Sequence, residues 1–151
     1  MKTKYGYLLV IVFSAIVVVL GFNHFTNHGL VRITNSKTGQ LGYLKVKTDP
    51  DKNLLTGEWS ETGTPNLIKI TGVDESGRLQ IGFFNPKSIT VLKSNWIKNG
   101  NLLSVYIELQ DEKYMNSNFK LNYVPERDML VGEFYDAMQD FTCPTEFAKI
   151  K

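Results

Sequence analysis

From Leu54 to the C-terminus, short apolar runs alternate with clusters of Gly, Asn, Asp and Pro. The runs are Leu54 to Ser60, Leu67 to Val73, Arg78 to Phe84, Ile89 to Ile97, Leu102 to Leu109, Phe119 to Val124, Met129 to Tyr135 and Phe141 to Ile150. Within them apolar residues recur with period two, the signature of strands with one buried face, and no helical period fits after residue 30. Leu79, Ile81 and Phe83 share one side of their strand. So do Leu103, Val105, Ile107 and Leu109, and again Phe119, Leu121 and Tyr123. Strand geometry therefore sends these residues to the interior. The connectors Asp74-Glu75-Ser76-Gly77, Lys98-Asn99-Gly100-Asn101 and Pro125-Glu126-Arg127-Asp128 have the composition of tight turns. The pattern predicts an all-β domain, a small eight-stranded antiparallel up-and-down barrel, and closure would remove the sheet edges that invite aggregation.

The N-terminal part reads differently. Tyr5 to Phe22 carries no charge, and eighteen residues at helical rise span about 27 Å, enough to cross a hydrocarbon core. Lys2 and Lys4 precede this segment and the next basic residue is Arg32, so the positive-inside rule puts the N-terminus in the cytoplasm and residues 30–151 outside. The rival is a secreted protein released by signal cleavage after Val19-Leu20-Gly21. An acyl anchor needs a Cys directly after the apolar run, and the single cysteine is Cys143. The expected organisation is a membrane anchor over 1–29, a stalk over 30–53 that lends the domain an edge strand, and the barrel over 54–151.

Charge narrows the partners. The chain carries a formal net charge of +2, all of it from Lys2 and Lys4, because residues 30–151 hold fifteen Lys and Arg against fifteen Asp and Glu. A nucleic-acid binder needs a net basic domain that displaces counterions from phosphates, so nucleic acid is excluded as a partner. One cysteine cannot form an internal disulfide, and stability must come from the core.

Gly57-Glu58-Trp59, followed by Ile68-Lys69-Ile70, Val73, Gly77 and Gly82-Phe83-Phe84, resembles the opening hairpins of avidin-like and lipocalin-like barrels. There a Gly-x-Trp on the first strand plugs the closed end. That likeness implies architecture, not biotin binding. From about residue 54 onward, Phe83-Phe84-Asn85-Pro86-Lys87-Ser88-Ile89-Thr90-Val91, Ile107-Glu108-Leu109-Gln110-Asp111, Leu121-Asn122-Tyr123 and Asp128-Met129-Leu130-Val131-Gly132 look like a family of exported or membrane-anchored bacterial proteins of unassigned function. Ser88 and Met115-Asn116-Ser117 depart from that family's proline-bearing turns, and the family supplies no reaction to inherit.

Candidate chemistry is sparse. His24 and His28 stand four apart, a spacing for two ligands on one helical face, without a third. Asp49, Asp51 and Asn53 open like a calcium loop, but Leu54 stands where such a loop needs Gly. Glu108 and Asp111 are the one carboxylate pair to weigh, yet parity turns Glu108 outward with Ser104 and Tyr106. Glu58 and Glu133 recur in matching Gly-Glu-aromatic contexts. No phosphate loop, nucleophile elbow or Cys-His constellation occurs, so no catalytic residue, metal or cofactor is expected. Two non-enzymatic readings remain. In one, Phe83, Tyr123 and Phe134 line a hollow interior that takes up a small apolar molecule or lipid chain. In the other, the interior is packed and Trp96, read as exposed opposite Ile97, joins Phe84, Asn85 and the 111–118 loop in contacting an envelope protein.

Overall fold

The computed structural model describes residues 30–34, 41–46 and 48–151. The apolar segment 5–22 and both histidines lie outside them. Among the described residues no helix is long and apolar enough to cross a membrane; the only helical element described is a 3-10 turn, Lys52–Leu55. The strands are β1 (Leu30–Thr34), β2 (Leu41–Lys45), β3 (Gly57–Glu61), β4 (Leu67–Val73), β5 (Leu79–Asn85), β6 (Lys87–Ile89), β7 (Val91–Asn99), β8 (Leu102–Leu109), β9 (Asn118–Val124), β10 (Met129–Asp136) and β11 (Phe141–Lys149). Nine of them form one antiparallel sheet in the order β6-β5-β4-β3-β11-β10-β9-β8-β7, curled into a nearly closed barrel. Expected strands reappear within a few residues of their bounds because each buries an alternating face: β8 reads buried at Leu103, Val105, Ile107 and Leu109, and β9 at Phe119, Leu121 and Tyr123.

The strand count differs from the expected eight. Pro86 breaks the run after Asn85, and the chain folds straight back so that Lys87 pairs with Asn85 and Ile89 with Phe83. This three-residue β6 occupies the place beside β5 that β7 would need for full closure. At the other half of β5 the barrel does close. The Trp96 N–H donates to the Gly77 carbonyl (2.8 Å) and the Ser94 hydroxyl to the Leu79 carbonyl (3.1 Å), and Arg78 bridges Asn95. The remaining seam is filled from inside by half-buried Ile81, Ile89 and Val91. Its edges are guarded by the shortness of β6, by Pro86, by Lys87 and Lys93, and by a bulge, all devices that discourage strand addition.

That bulge overturns one expectation. The β7–β8 register slips between Val91 and Lys93, so one extra residue of β7 is accommodated and every side chain after it changes face. Trp96 therefore turns inward and packs half-buried against the core, and Ile97 is the exposed residue. A similar slip between Ile70 and Gly72 of β4 brings Val73 onto the core beside Ile68 and Ile70.

The first two described strands stand apart from the nine-stranded sheet. β1 and β2 pair with each other as a separate two-stranded sheet, Leu30 opposite Lys45 and Thr34 opposite Leu41, rather than extending the barrel. The segment that follows is strapped to the barrel's outer wall. Val46 is buried in a second small core with Leu102, Val124 and Val131, to which Met129 adds cover. The Thr48 N–H donates to the Glu126 carboxylate (3.3 Å), and Lys98 pairs with Asp49 (2.7 Å) while donating to the Pro50 carbonyl (3.1 Å). Asp51 then caps the 3-10 turn by accepting from the Asn53 N–H (2.7 Å). That turn delivers Leu55 into the barrel end from which β3 departs. This end is called proximal below, and the end carrying the turns after β3, β5, β8 and β10 is called distal.

Candidate functional site

Three places could carry a function: the barrel interior, the acidic side chains of its walls, and its two ends. Aromatic rings cluster in the interior together with the aliphatic core residues. Phe119 lies 5.2 Å from Phe83, 4.6 Å from Phe134 and 5.7 Å from Phe147, centroid to centroid. Tyr114 meets Phe83 at 6.3 Å and Phe134 at 6.4 Å from the distal side. Edge-to-face and tilted pairs at such separations are favourable contacts, each adding about 1 kcal/mol to area burial. Of the three residues expected to line a ligand cavity, Phe83 is 1 % and Tyr123 3 % exposed, and Phe134 is half-buried against Phe119 and Tyr114. They are part of the core.

The proximal end is plugged. Trp59 is fully buried; its indole N–H donates to the Leu55 carbonyl (2.9 Å), and its ring meets Tyr123 edge-on at 5.8 Å. Lys149 covers the plug, with its ammonium 4.9 Å from the centre of the Trp59 ring and donating to the Leu54 carbonyl (2.6 Å). Beside it the Tyr123 hydroxyl donates to Asp128 (3.0 Å); burial first, then this bond, pushes its pKa up to about 12.

Carboxylates of the walls are engaged structurally. Glu108 accepts from the Tyr106 hydroxyl (3.1 Å) on the outer face and stands opposite Lys93 and Asn118 in register, whereas Asp111 accepts from the Lys113 N–H in the following loop. The matching Gly-Glu-aromatic segments have matching partners. Gly57, Glu58 and Trp59 face Ile70, Lys69 and Ile68, and Gly132, Glu133 and Phe134 face Leu121, Lys120 and Phe119. In the first pair the glutamate and lysine form an ion pair at 2.7 Å. Glu61 accepts from Thr64 and Asn66 (2.6 Å each) and from Thr145, tying the β3–β4 turn to β11. Asp74 accepts from the Ser76 hydroxyl and the Ser76 and Arg78 N–H groups; the hydroxyl bond leads in holding its carboxyl below the ordinary range. Among the described residues, no group of three or more His, Cys, Asp or Glu is placed to hold a metal ion.

The residues expected to touch a partner do not share one surface. Trp96 lies at the proximal end, its indole N–H donating to the Asp74 carbonyl (3.0 Å) with the Lys52 ammonium 5.9 Å from the ring centre. Phe84 is half-buried on the wall beside Gly82, and Asn85 is at the distal end, its amide donating to the Tyr114 hydroxyl (2.5 Å). Comparisons of the chain with family models, curated proteins and solved structures return no match.

At the distal rim the 111–118 loop, expected as a partner contact, is joined by a hairpin tip that the sequence did not reveal. Met115 (51 % exposed) lies in the 110–117 loop, and Met138 (64 %) and Phe141 (57 %) lie at the tip of the β10–β11 hairpin. The two segments are joined where the Ala137 N–H donates to the buried Ser117 hydroxyl (3.1 Å). The hairpin overhangs the barrel, because β11 pairs with β3 only from Phe147 onward, leaving Phe141 to Glu146 beyond that strand. Met138 and Phe141 are apolar residues in and beside a turn, a signal without a period.

Proposed function

We propose that this protein is a membrane-tethered, non-enzymatic interaction module of a bacterial cell envelope, anchored through residues 5–22 with its barrel outside the cytoplasmic membrane. One observation carries the choice between the two non-enzymatic readings. The rings of Phe83, Phe134 and Phe147 each meet Phe119 in the interior, and the proximal end is stopped by Trp59 and Leu55. A barrel of about eight long strands is just wide enough for side chains or one small ligand, and here aromatic side chains take that volume. The uncharged segment 5–22 behind Lys2 and Lys4 supports the tether and its direction, and the resemblance of residues 54–151 to exported or anchored bacterial proteins supports the compartment.

Native mass spectrometry of the full-length chain, extracted in detergent from its own membrane, tests the reading. The expected species is the chain alone or with a protein partner, without a small-molecule adduct. A stoichiometric apolar adduct that organic solvent removes would replace this reading with that of a lipid or small-ligand carrier. Protease applied to the outer face of intact cells stripped of their wall should release fragments of residues 30–151. Their full protection would overturn the orientation.

A further inference from the structure

We propose that the distal rim formed by the 110–117 loop and the tip of the β10–β11 hairpin is the docking surface, and that it takes a basic, apolar segment of a partner protein. This rests on the reading of the barrel as an interaction module and names where and with what chemistry it acts.

Three observations mark the rim as a preformed surface. Met115, Met138 and Phe141 are large apolar side chains that stay in water although the sheet behind them has buried its own, and Met is suited to a surface that must adapt to a partner. They lie on two segments joined by the Ala137 to Ser117 hydrogen bond, which brings the 110–117 loop and the hairpin tip together at one rim. Asp136 accepts from the Met138 and Gln139 N–H groups (2.9 and 3.2 Å), so the tip that carries Met138 is held by its own turn.

Charge then selects the partner. These two segments carry Asp111, Glu112, Asp136 and Asp140 against Lys113 alone. The hydrogen bonds that Asp111, Asp136 and Asp140 accept come from backbone N–H groups and the Tyr135 hydroxyl rather than from cations, and Glu112 and Asp140 are exposed. An anionic bilayer surface is repelled by such a rim, whereas a Lys- or Arg-bearing segment with apolar residues satisfies both features at once. Placement agrees: the strap over residues 48–55 meets the barrel at its proximal end, opposite the rim. The other candidate surface, the seam between β6 and β7, is blunted by Pro86, Lys87 and Lys93.

The test uses the full-length protein in its native membrane with a photo-crosslinking residue at position 115, 138 or 141, and at 97 on the wall as comparison. The captured segment is sequenced by mass spectrometry. Capture from the rim positions of a protein segment bearing net positive charge and apolar residues, reduced at least tenfold by Phe141→Ser with Met138→Ser and unchanged by Ile97→Ser, supports the proposal. Retained cooperative melting of the Ser variants shows that such a loss is not unfolding, and a loss accompanied by unfolding counts as support only if Glu112→Lys also lowers capture. Capture from position 97 alone overturns the rim while leaving the interaction module in place. A rim adduct with lipid, with a second copy of the chain or with an acidic segment overturns the partner chemistry, and no protein adduct from any position overturns both readings.

Discussion

Gly132 of β10 lies so close under Lys120 of β9 that a Cβ on it would sit 1.9 Å from the Lys120 carbonyl oxygen and 2.9 Å from the Leu121 Cα. Both obstacles are backbone in the middle of a paired ladder, with Gly132 opposite Leu121, and cannot swing away. Gly132→Ala is therefore expected to cost about 3 kcal/mol, the upper part of the range for overpacking. Gly63 provides the contrast: its φ is +82° but a Cβ there meets nothing within 4 Å. Gly63→Ala should cost only the left-handed backbone penalty, about 1 kcal/mol. Urea unfolding followed by the fluorescence of buried Trp59 measures both, and near-equal losses would contradict the close approach.

Tyr123 ties stability to alkaline pH. Its phenol ionises near the ordinary 10.0 in the unfolded chain but is pushed up to about 12 in the fold by burial and by its bond to Asp128. The folded state thus holds the proton more tightly. The stabilisation is complete below about pH 10 and is lost as pH rises toward 12. Tyr123→Phe should lower stability at neutral pH by about 1 kcal/mol, the worth of the Asp128 hydrogen bond. It should also flatten the decline in melting temperature between pH 10 and 12. A variant whose alkaline decline matches the parent's would show that Tyr123 is not the group responsible.

Cys143 sits opposite Phe134 in the β10–β11 ladder, half-buried. Burial first, then the negative charges of Glu61 and Asp136, raise its thiol pKa, so less thiolate is present near neutrality than in a free cysteine. Alkylation of the folded protein should run several-fold slower than that of the urea-unfolded chain at the same pH. Asp136→Asn, which can still cap the hairpin turn, should accelerate it less than unfolding does, because burial is the larger cause. A folded rate equal to the unfolded one would mean that the thiol is open to solvent.

Strand positions were legible because each strand buries one face and period two survives in the sequence, as in Leu103-Val105-Ile107-Leu109. Trp59 was legible as the plug from Gly57-Glu58-Trp59, although its acceptor, the Leu55 carbonyl, was not. Trp96 was misplaced because parity carries across a strand only while the register holds, and the bulge at Val91 to Lys93 is a property of the β7–β8 pair rather than of either strand. β6 was hidden because three residues are too few to show a period. At the rim, the 111–118 loop was anticipated, but Met138 and Phe141 join it only through the Ala137 to Ser117 bond between distant turns, which no local pattern reveals.

The strap that precedes β3 is held to the barrel by a small apolar core and by one ion pair. Val46 is buried among Leu102, Val124 and Val131, whereas the Lys98–Asp49 pair that accompanies it is largely in water. Apolar burial should therefore dominate: Val46→Ala should cost about 2 kcal/mol of strap docking, and Lys98→Ala about 0.5 kcal/mol, as exposed ion pairs do. Val46→Asp places an unpaired charge in that small core and should release the segment altogether. Limited proteolysis of the full-length protein would then show cleavage between residues 46 and 51 rising at least tenfold in Val46→Asp and less than threefold in Lys98→Ala. The barrel should keep its melting transition within a few degrees, because Val46 contacts its outer wall and not the core around Trp59. Cleavage unchanged by Val46→Asp would mean that the segment is not held against the barrel wall.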